Sequence, residues 1–247
     1  ERRVMETERI GIIGGSGLAR PEALEIERRQ VVLTPYGEPS SSITFGSLEE
    51  VPVVFLPRHG AAHNIPPHMV NYRANIWAMQ HVGVKHLIGI ASVGGISQPP
   101  GTVVIPDQII DYTWGREHTY VETDLTKVTH IDFTEPYCEA LRQRLIQGAK
   151  DAGLEIIETG TYGATQGPRL ETPMEIKRMQ QDGCDLVGMT GMPETSLARE
   201  IGLCYASCAF VVNWAAGKSA GPITMREIEK HQAAGIENIR CLLGTLR

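Results

Sequence analysis

Apolar runs closed off by glycine or proline recur along the chain. They are Arg9–Gly15 (RIGIIGG), Val51–Arg58 (VPVVFLPR), His86–Gly95 (HLIGIASVGG), Thr102–Ile110 (TVVIPDQII), Thr161–Gly167 (TYGATQG), Asp185–Gly191 (DLVGMTG) and Cys204–Asn213 (CYASCAFVVN). Each reads as a buried strand, and Ser42–Arg58 also reads as a hairpin. Helical patterns alternate with them. Val70–Val82 puts Val70, Ala74, Trp77 and Ala78 on one face, and Pro136–Ala152, Pro173–Gln181, Glu194–Ile201 and Thr224–Leu243 follow the same period. Strand–helix alternation predicts an α/β fold, a three-layer sandwich with a central mixed β-sheet flanked by helices and ligands at the carboxyl ends of strands. No repeat or low-complexity linker interrupts the pattern, so residues 1–247 are expected to form one domain. Residues 1–8 are expected to lie outside the folded part, with Met5 a candidate native start.

Composition narrows the function classes. The 247 residues are 42% hydrophobic and carry a net charge of -6, enough for a large core. No run of Lys or Arg forms a basic stripe, so nucleic acid is not the expected partner, although a local cationic pocket for an anion is compatible. No apolar segment has membrane-spanning length, and the first residues lack the apolar core of a signal peptide. Five cysteines, Cys138, Cys184, Cys204, Cys208 and Cys241, have no framework spacing, so reduced thiols in a cytoplasmic protein are expected.

Several segments carry candidate chemistry. The turn Gly14-Gly15-Ser16-Gly17 follows the first apolar run, where backbone N–H groups and a hydroxyl can converge on an anion. It is equally a plain tight turn, and Arg20 stands where a dinucleotide fingerprint needs its third glycine. Arg58-His59 closes another run, as a fork for an oxyanion or as a surface pair. His59, His63 and His68 have no metal-site logic, because Gly60 and Pro66-Pro67 break the helix that would align them. Thr190 ends a strand with Met189 beside it, Glu171 sits in a turn, and Asn213 is a lone amide at the end of the last apolar run.

Taken in order, IGIIGGSGL, TPYGEPSSSITFG, LPRHGAAHNIPPHMVNYRANIWAM, PGTVVIPDQIIDYT, HIDFTEPYC, GPRLET, GCDLVGMTGMPE and FVVNWAAGK resemble the trimeric purine nucleoside phosphorylases and 5'-methylthioadenosine phosphorylases over nearly the whole chain. The resemblance implies phosphorolysis of a nucleoside, with inorganic phosphate as co-substrate and no cofactor or metal. It implies a phosphate site of Ser16, Arg58, His59, Ser92 and Thr190, with Met189 against the ribose. Ala91 stands where the methylthioadenosine enzymes carry threonine. Glycosidic cleavage would come first, and phosphate would capture the ribosyl cation, so positioning and leaving-group stabilisation carry catalysis. A homotrimer is implied, with His130 reaching a neighbouring site.

The base and 5' positions depart from one branch each. Asn213 and Ala215 replace two aspartates of the methylthioadenosine enzymes, and Asn213 matches the asparagine of 6-oxopurine enzymes. Its carbonyl can accept from N7–H and its NH2 can donate to O6. Leu170-Glu171-Thr172 follows the same branch, with Glu171 an acceptor for N1–H. Met225 and Ile228 are apolar where a 6-oxopurine nucleoside enzyme meets the 5'-hydroxyl with histidine, although both could be helix core. The combination predicts phosphorolysis of S-methyl-5'-thioinosine to hypoxanthine and 5-methylthioribose 1-phosphate, with catalytic roles for Asn213, Glu171 and His59. The alternatives are a 5'-methylthioadenosine or 6-oxopurine nucleoside phosphorylase, or a nucleosidase that uses water.

Overall fold

The two-residue connection Glu49-Glu50 turns the predicted hairpin, with both residues in the left-handed region at φ 47° and 69°, the twist that a tight hairpin favours. The computed structural model describes residues 9–15, 24–122 and 129–246. The described strands are β1 (Ile10–Gly14), β2 (Glu25–Gln30), β3 (Ile43–Leu48), β4 (Val51–Pro57), β5 (His86–Gly95), β6 (Val103–Val104), β7 (Gln108–Asp111), β8 (Ile156–Ile157), β9 (Thr161–Ala164), β10 (Leu186–Gly188) and β11 (Cys204–Trp214). The helices are α1 (Tyr72–His81), α2 (Glu139–Asp151), α3 (Pro173–Gln181), α4 (Glu194–Glu200) and α5 (Met225–Leu243). One sheet runs β2-β3-β4-β1-β5-β10-β9-β7, with β11 along β5 and then β6 and β8 beyond it. Parallel and antiparallel pairs mix, as expected.

Alternation along the strands sends side chains to two faces. Ile10 and Ile12 join a core with Leu141, Leu145, Ile239 and Leu242 of α2 and α5. Ile13 joins the other core with Ile76, Met79 and Leu197 of α1 and α4. This is the expected three-layer arrangement. No helix among the described residues is long and apolar enough to cross a membrane.

Several departures have local causes. The single strand expected over Thr102–Ile110 is two, because Pro106 cannot donate to a ladder and the chain changes neighbours there. The unexpected β2, EIERRQ, is a charged and largely exposed edge strand, without an apolar pattern to reveal it. Helix α2 begins at Glu139 rather than Pro136, with Cys138 as its N-cap. The Cys138 N–H donates to the Tyr205 carbonyl at 2.8 Å. That contact brings Cys138 beside Cys204, and the two form a disulfide with Cα atoms 5.1 Å apart. The expectation of reduced thiols is corrected for this pair, while Cys184, Cys208 and Cys241 are free.

Helix α5 packs on β11 at Gly235, where an added Cβ would lie 2.3 Å from Phe210 Cδ2. Helix propensity alone favours alanine there by about 1 kcal/mol, but overpacking a fixed ring costs about 1–3 kcal/mol. Gly235→Ala is therefore expected to lower the urea midpoint. A raised midpoint would show that Phe210 repacks freely.

Candidate active site

The site opens where the central strand changes partners. On one edge β5 pairs with β1 as far as Gly89, and β10 takes over only at Gly94 and Gly95. Among the described residues, Ile90–Val93 thus have β11 on one edge and no strand on the other. A cavity of about 470 Å³ lies against this gap, at the carboxyl end of β1 and β4, where α/β sheets place ligands. Ser92 is exposed in a strand whose neighbours on both sides are buried, because it borders the cavity.

Arg58 follows the last residue of β4 and fills part of the gap. Its Nη1 donates to the Ile90 carbonyl at 2.9 Å and its Nη2 to the Ile13 carbonyl at 3.2 Å. Nε and Nη2 also hold both oxygens of Glu194 at 2.7 Å each. Arg58 is 2% exposed and Glu194 fully buried, and the Tyr205 hydroxyl donates to the same carboxylate at 2.8 Å. Burial alone pulls the guanidinium pKa down, but the Glu194 carboxylate outweighs it and the net direction is up. Four of the five guanidinium N–H groups are committed, so one Nη1 hydrogen remains for a ligand.

His59 lines the same cavity. Its Nδ1 lies 2.9 Å from the Ile65 carbonyl, which can only accept, so Nδ1 carries the proton and Nε2 is left as an acceptor. Burial, and then the charge of Arg58, lower its pKa to about 4. The imidazole is neutral at physiological pH.

The base-side residues come from two further elements. Strand β11 shifts register against β5 between Val211 and Asn213. This irregularity accommodates an extra residue and re-aims side chains, and the consecutive Val212 and Asn213 both line the cavity. One Asn213 Nδ2 hydrogen goes to the Trp214 carbonyl at 2.7 Å, leaving Oδ1 and a second N–H for a ligand. Glu171 immediately precedes Thr172, the N-cap of α3, which makes a reciprocal capping box with Glu175. Its Oε1 accepts from the Thr165 hydroxyl at 2.7 Å.

Ala91, Leu170, Met189, Thr190, Ala215 and Ile228 also line this cavity. Ser16 lies outside the described residues. Met225 is 66% exposed in the first turn of α5 and is not among the lining residues, whereas Ile223, just ahead of that helix, is. The apolar position expected at Met225 is thus filled by Ile223, two residues earlier, because the chain reaches the cavity before α5 begins. His130 is exposed and does not line the cavity of its own chain. Reasoning from sequence also missed Glu194, which gave only a helix-start signal, and Thr165, which gave none.

The model of the phosphorylase superfamily matches residues 9–246. The chain belongs to that superfamily. It is 50% identical over 234 residues to a probable S-methyl-5'-thioinosine phosphorylase of Pseudomonas syringae pv. tomato, covering 94% of this chain and 95% of that one. It is 45% identical over 240 residues to a probable 6-oxopurine nucleoside phosphorylase of Dictyoglomus turgidum, covering 96% and 90%. Among solved structures, methylthioadenosine phosphorylase from Schistosoma mansoni in complex with adenine superposes with a TM-score of 0.90 at 35% identity, covering 97% of this chain and 91% of that one.

Two predictions follow from this superfamily member's polar core. His59 binds its proton more weakly when folded, near pH 4, than at the ordinary value of 6.5. The unfolded state therefore takes up more protons between these values, and stability is lost as pH falls from about 6.5 toward about 4. An NMR titration of the imidazole should show a midpoint near 4, and a midpoint above 6 would contradict the burial argument. Glu194→Gln leaves a buried guanidinium without its counter-charge, at an expected loss of about 3–5 kcal/mol in urea unfolding. A loss below about 1 kcal/mol would mean that the pair is dispensable.

Proposed function

We propose that this pentosyltransferase of the purine nucleoside phosphorylase type cleaves S-methyl-5'-thioinosine with inorganic phosphate. The products are hypoxanthine and 5-methylthioribose 1-phosphate, in purine salvage. The observation that carries the reading is one cavity lined by two unlike sets of residues. Asn213 and Glu171 border it with Ala215, and so do the apolar Ile223 and Ile228.

At the base end, Asn213 Oδ1 accepts from N7–H of the departing purine and the uncommitted amide hydrogen donates to O6. Glu171 accepts the N1–H that hypoxanthine has and adenine lacks. A carboxylate facing the N1 lone pair of adenine is a mismatched polar contact, and such contacts discriminate by up to about 10⁴–10⁵. Ala215 supplies no carboxyl for a 6-amino group. At the 5' end, Ile223 and Ile228 suit a thioether, whereas a 5'-hydroxyl there loses its partner on burial. The relatives named probable S-methyl-5'-thioinosine phosphorylases support the same reading.

The C1'–N9 bond breaks with its electron pair leaving on the purine, an oxygen of monohydrogen phosphate then bonds to C1', and the proton that the phosphate gives up ends on purine N7. Phosphate is held by Ser92, Thr190, the remaining Arg58 hydrogen and, by the family pattern, Ser16. Neutral His59 offers Nε2 to a phosphate or sugar hydroxyl, and Met189 borders the ribose. No cofactor is needed. The protein acts as a cytoplasmic homotrimer, in which exposed His130 completes a neighbouring subunit's site.

Initial rates with S-methyl-5'-thioinosine, S-methyl-5'-thioadenosine and inosine, each with and without phosphate, test the reading. The thioinosine is expected to lead the thioadenosine by at least about 100-fold in kcat/KM and inosine by about tenfold. Turnover should require phosphate. A lead for the thioadenosine would sink the base assignment, equality with inosine the tail assignment, and phosphate-independent turnover the reaction itself.

A further inference from the structure

Glu171 stands between two cavities. One is the 470 Å³ cavity of the site, and the other, of about 500 Å³, is lined by Tyr112, Trp114, Gln166 and Arg178 among others. Glu171 borders both, and Thr165 borders the second. A glutamate side chain at such a boundary has rotamers on either side, and choosing one costs side-chain entropy. Something must hold it if it is to meet a ligand in one place.

Thr165 is built to do so. It follows Ala164, the last residue of β9, and its N–H donates to the Gly188 carbonyl at 2.8 Å, next to the end of β10. Its own carbonyl accepts from Arg116 Nη2 at 3.3 Å. Arg116 is 9% exposed and also donates to the Gln166 and Met189 carbonyls, both at 2.8 Å. From this fixed backbone the Thr165 hydroxyl donates to Glu171 Oε1 at 2.7 Å and has only the Gly188 carbonyl, at 3.3 Å, as another acceptor. Its single hydrogen is therefore directed at the carboxylate.

We propose that Thr165 is a positioning residue for base selection. Its hydroxyl holds the Glu171 carboxylate in place with Oε1 engaged, so that Oε2 is presented to a ring N–H. The inference rests on the 6-oxopurine reading and adds to it a residue that need not touch the substrate. Without the hydroxyl, Glu171 spreads between the two cavities. A base carrying N1–H then loses a placed acceptor, whereas a 6-aminopurine loses nothing that favoured it. The result is a fall in discrimination rather than a uniform loss of rate.

The experiment compares Thr165→Val, which keeps the branched shape, with Thr165→Ser, which keeps the hydroxyl. Both are assayed on S-methyl-5'-thioinosine and S-methyl-5'-thioadenosine with inorganic phosphate. Valine is expected to lower kcat/KM for the thioinosine by about 10- to 100-fold and for the thioadenosine by no more than about threefold, with the phosphate KM unchanged. Serine is expected to stay within about threefold of the parent on both. Should the valine variant not fold, Thr165→Ala removes the same hydroxyl and must show the same split. Equal losses on both substrates, an unchanged ratio, or failure of serine to rescue would overturn the proposal. Glu171→Gln separates the two levels. If it leaves the substrate ratio unchanged, the base reading fails and takes the Thr165 proposal with it. If it collapses the ratio while Thr165→Val does not, only the Thr165 proposal fails.

Discussion

Between Gly89 and Gly94 the central strand has no strand neighbour on one edge among the described residues, and every polar group on that edge must be satisfied in some other way. A sheet could close the gap by continuing β1, but Gly14 is its last strand residue. Arg58 instead occupies part of the gap and takes the Ile90 and Ile13 carbonyls. In a pleated strand, alternate residues direct their backbone groups to the same edge. Ser92, two residues beyond Ile90, therefore offers its N–H and C=O to the space left over. The site is an interruption in sheet pairing, stabilised at one end by a cation and left open at the other.

This constraint also settles the electrostatics. A guanidinium that serves buried carbonyls must be desolvated, and Glu194 compensates its charge at the cost of being buried itself. The pair is close to neutral as seen from the cavity, and burial, aided by the charge of Arg58, keeps His59 unprotonated. An anion in this cavity meets directed dipoles more than net charge. Oriented hydroxyls and N–H groups need no reorganisation when charge shifts from the phosphate toward the sugar, which suits a reaction whose charge distribution changes along its course.

Much of the fold was legible because its signals are local. Runs such as VPVVFLPR meet glycine or proline at their ends, and Pro173–Gln181 opens on a threonine cap that any reader of the sequence can find. What stayed hidden depends on distant partners. Cys138 and Cys204 are 66 residues apart, and only the docking of the α2 N-cap on β11 brings them together. The register shift after Val211 leaves no mark in FVVNW, so Asn213 could be seen as an odd amide but not as one re-aimed beside Val212. Near α5 the expectation came from likeness to relatives rather than from a local signal: Ile228 lines the cavity, but Met225 does not, and Ile223, which precedes the helix, does.

The polar and the apolar residues that line the cavity are held to different tolerances, and their chemistry explains why. A hydrogen bond weakens steeply with misdirection, and the polar residues sit on backbone held by strand pairing or a helix cap. Asn213 is on a strand paired with β5 on both sides of the irregularity at Val212, and Glu171 is one residue ahead of a capping box and tied to Thr165. Apolar contact has no preferred direction and scales with area, so the apolar part of the lining can use a half-buried isoleucine from the segment leading into α5. A change of tail preference then needs only a different side chain at Ile223 or Ile228. A change of base preference must alter residues held by the sheet, the α3 cap and one another, and is the harder step.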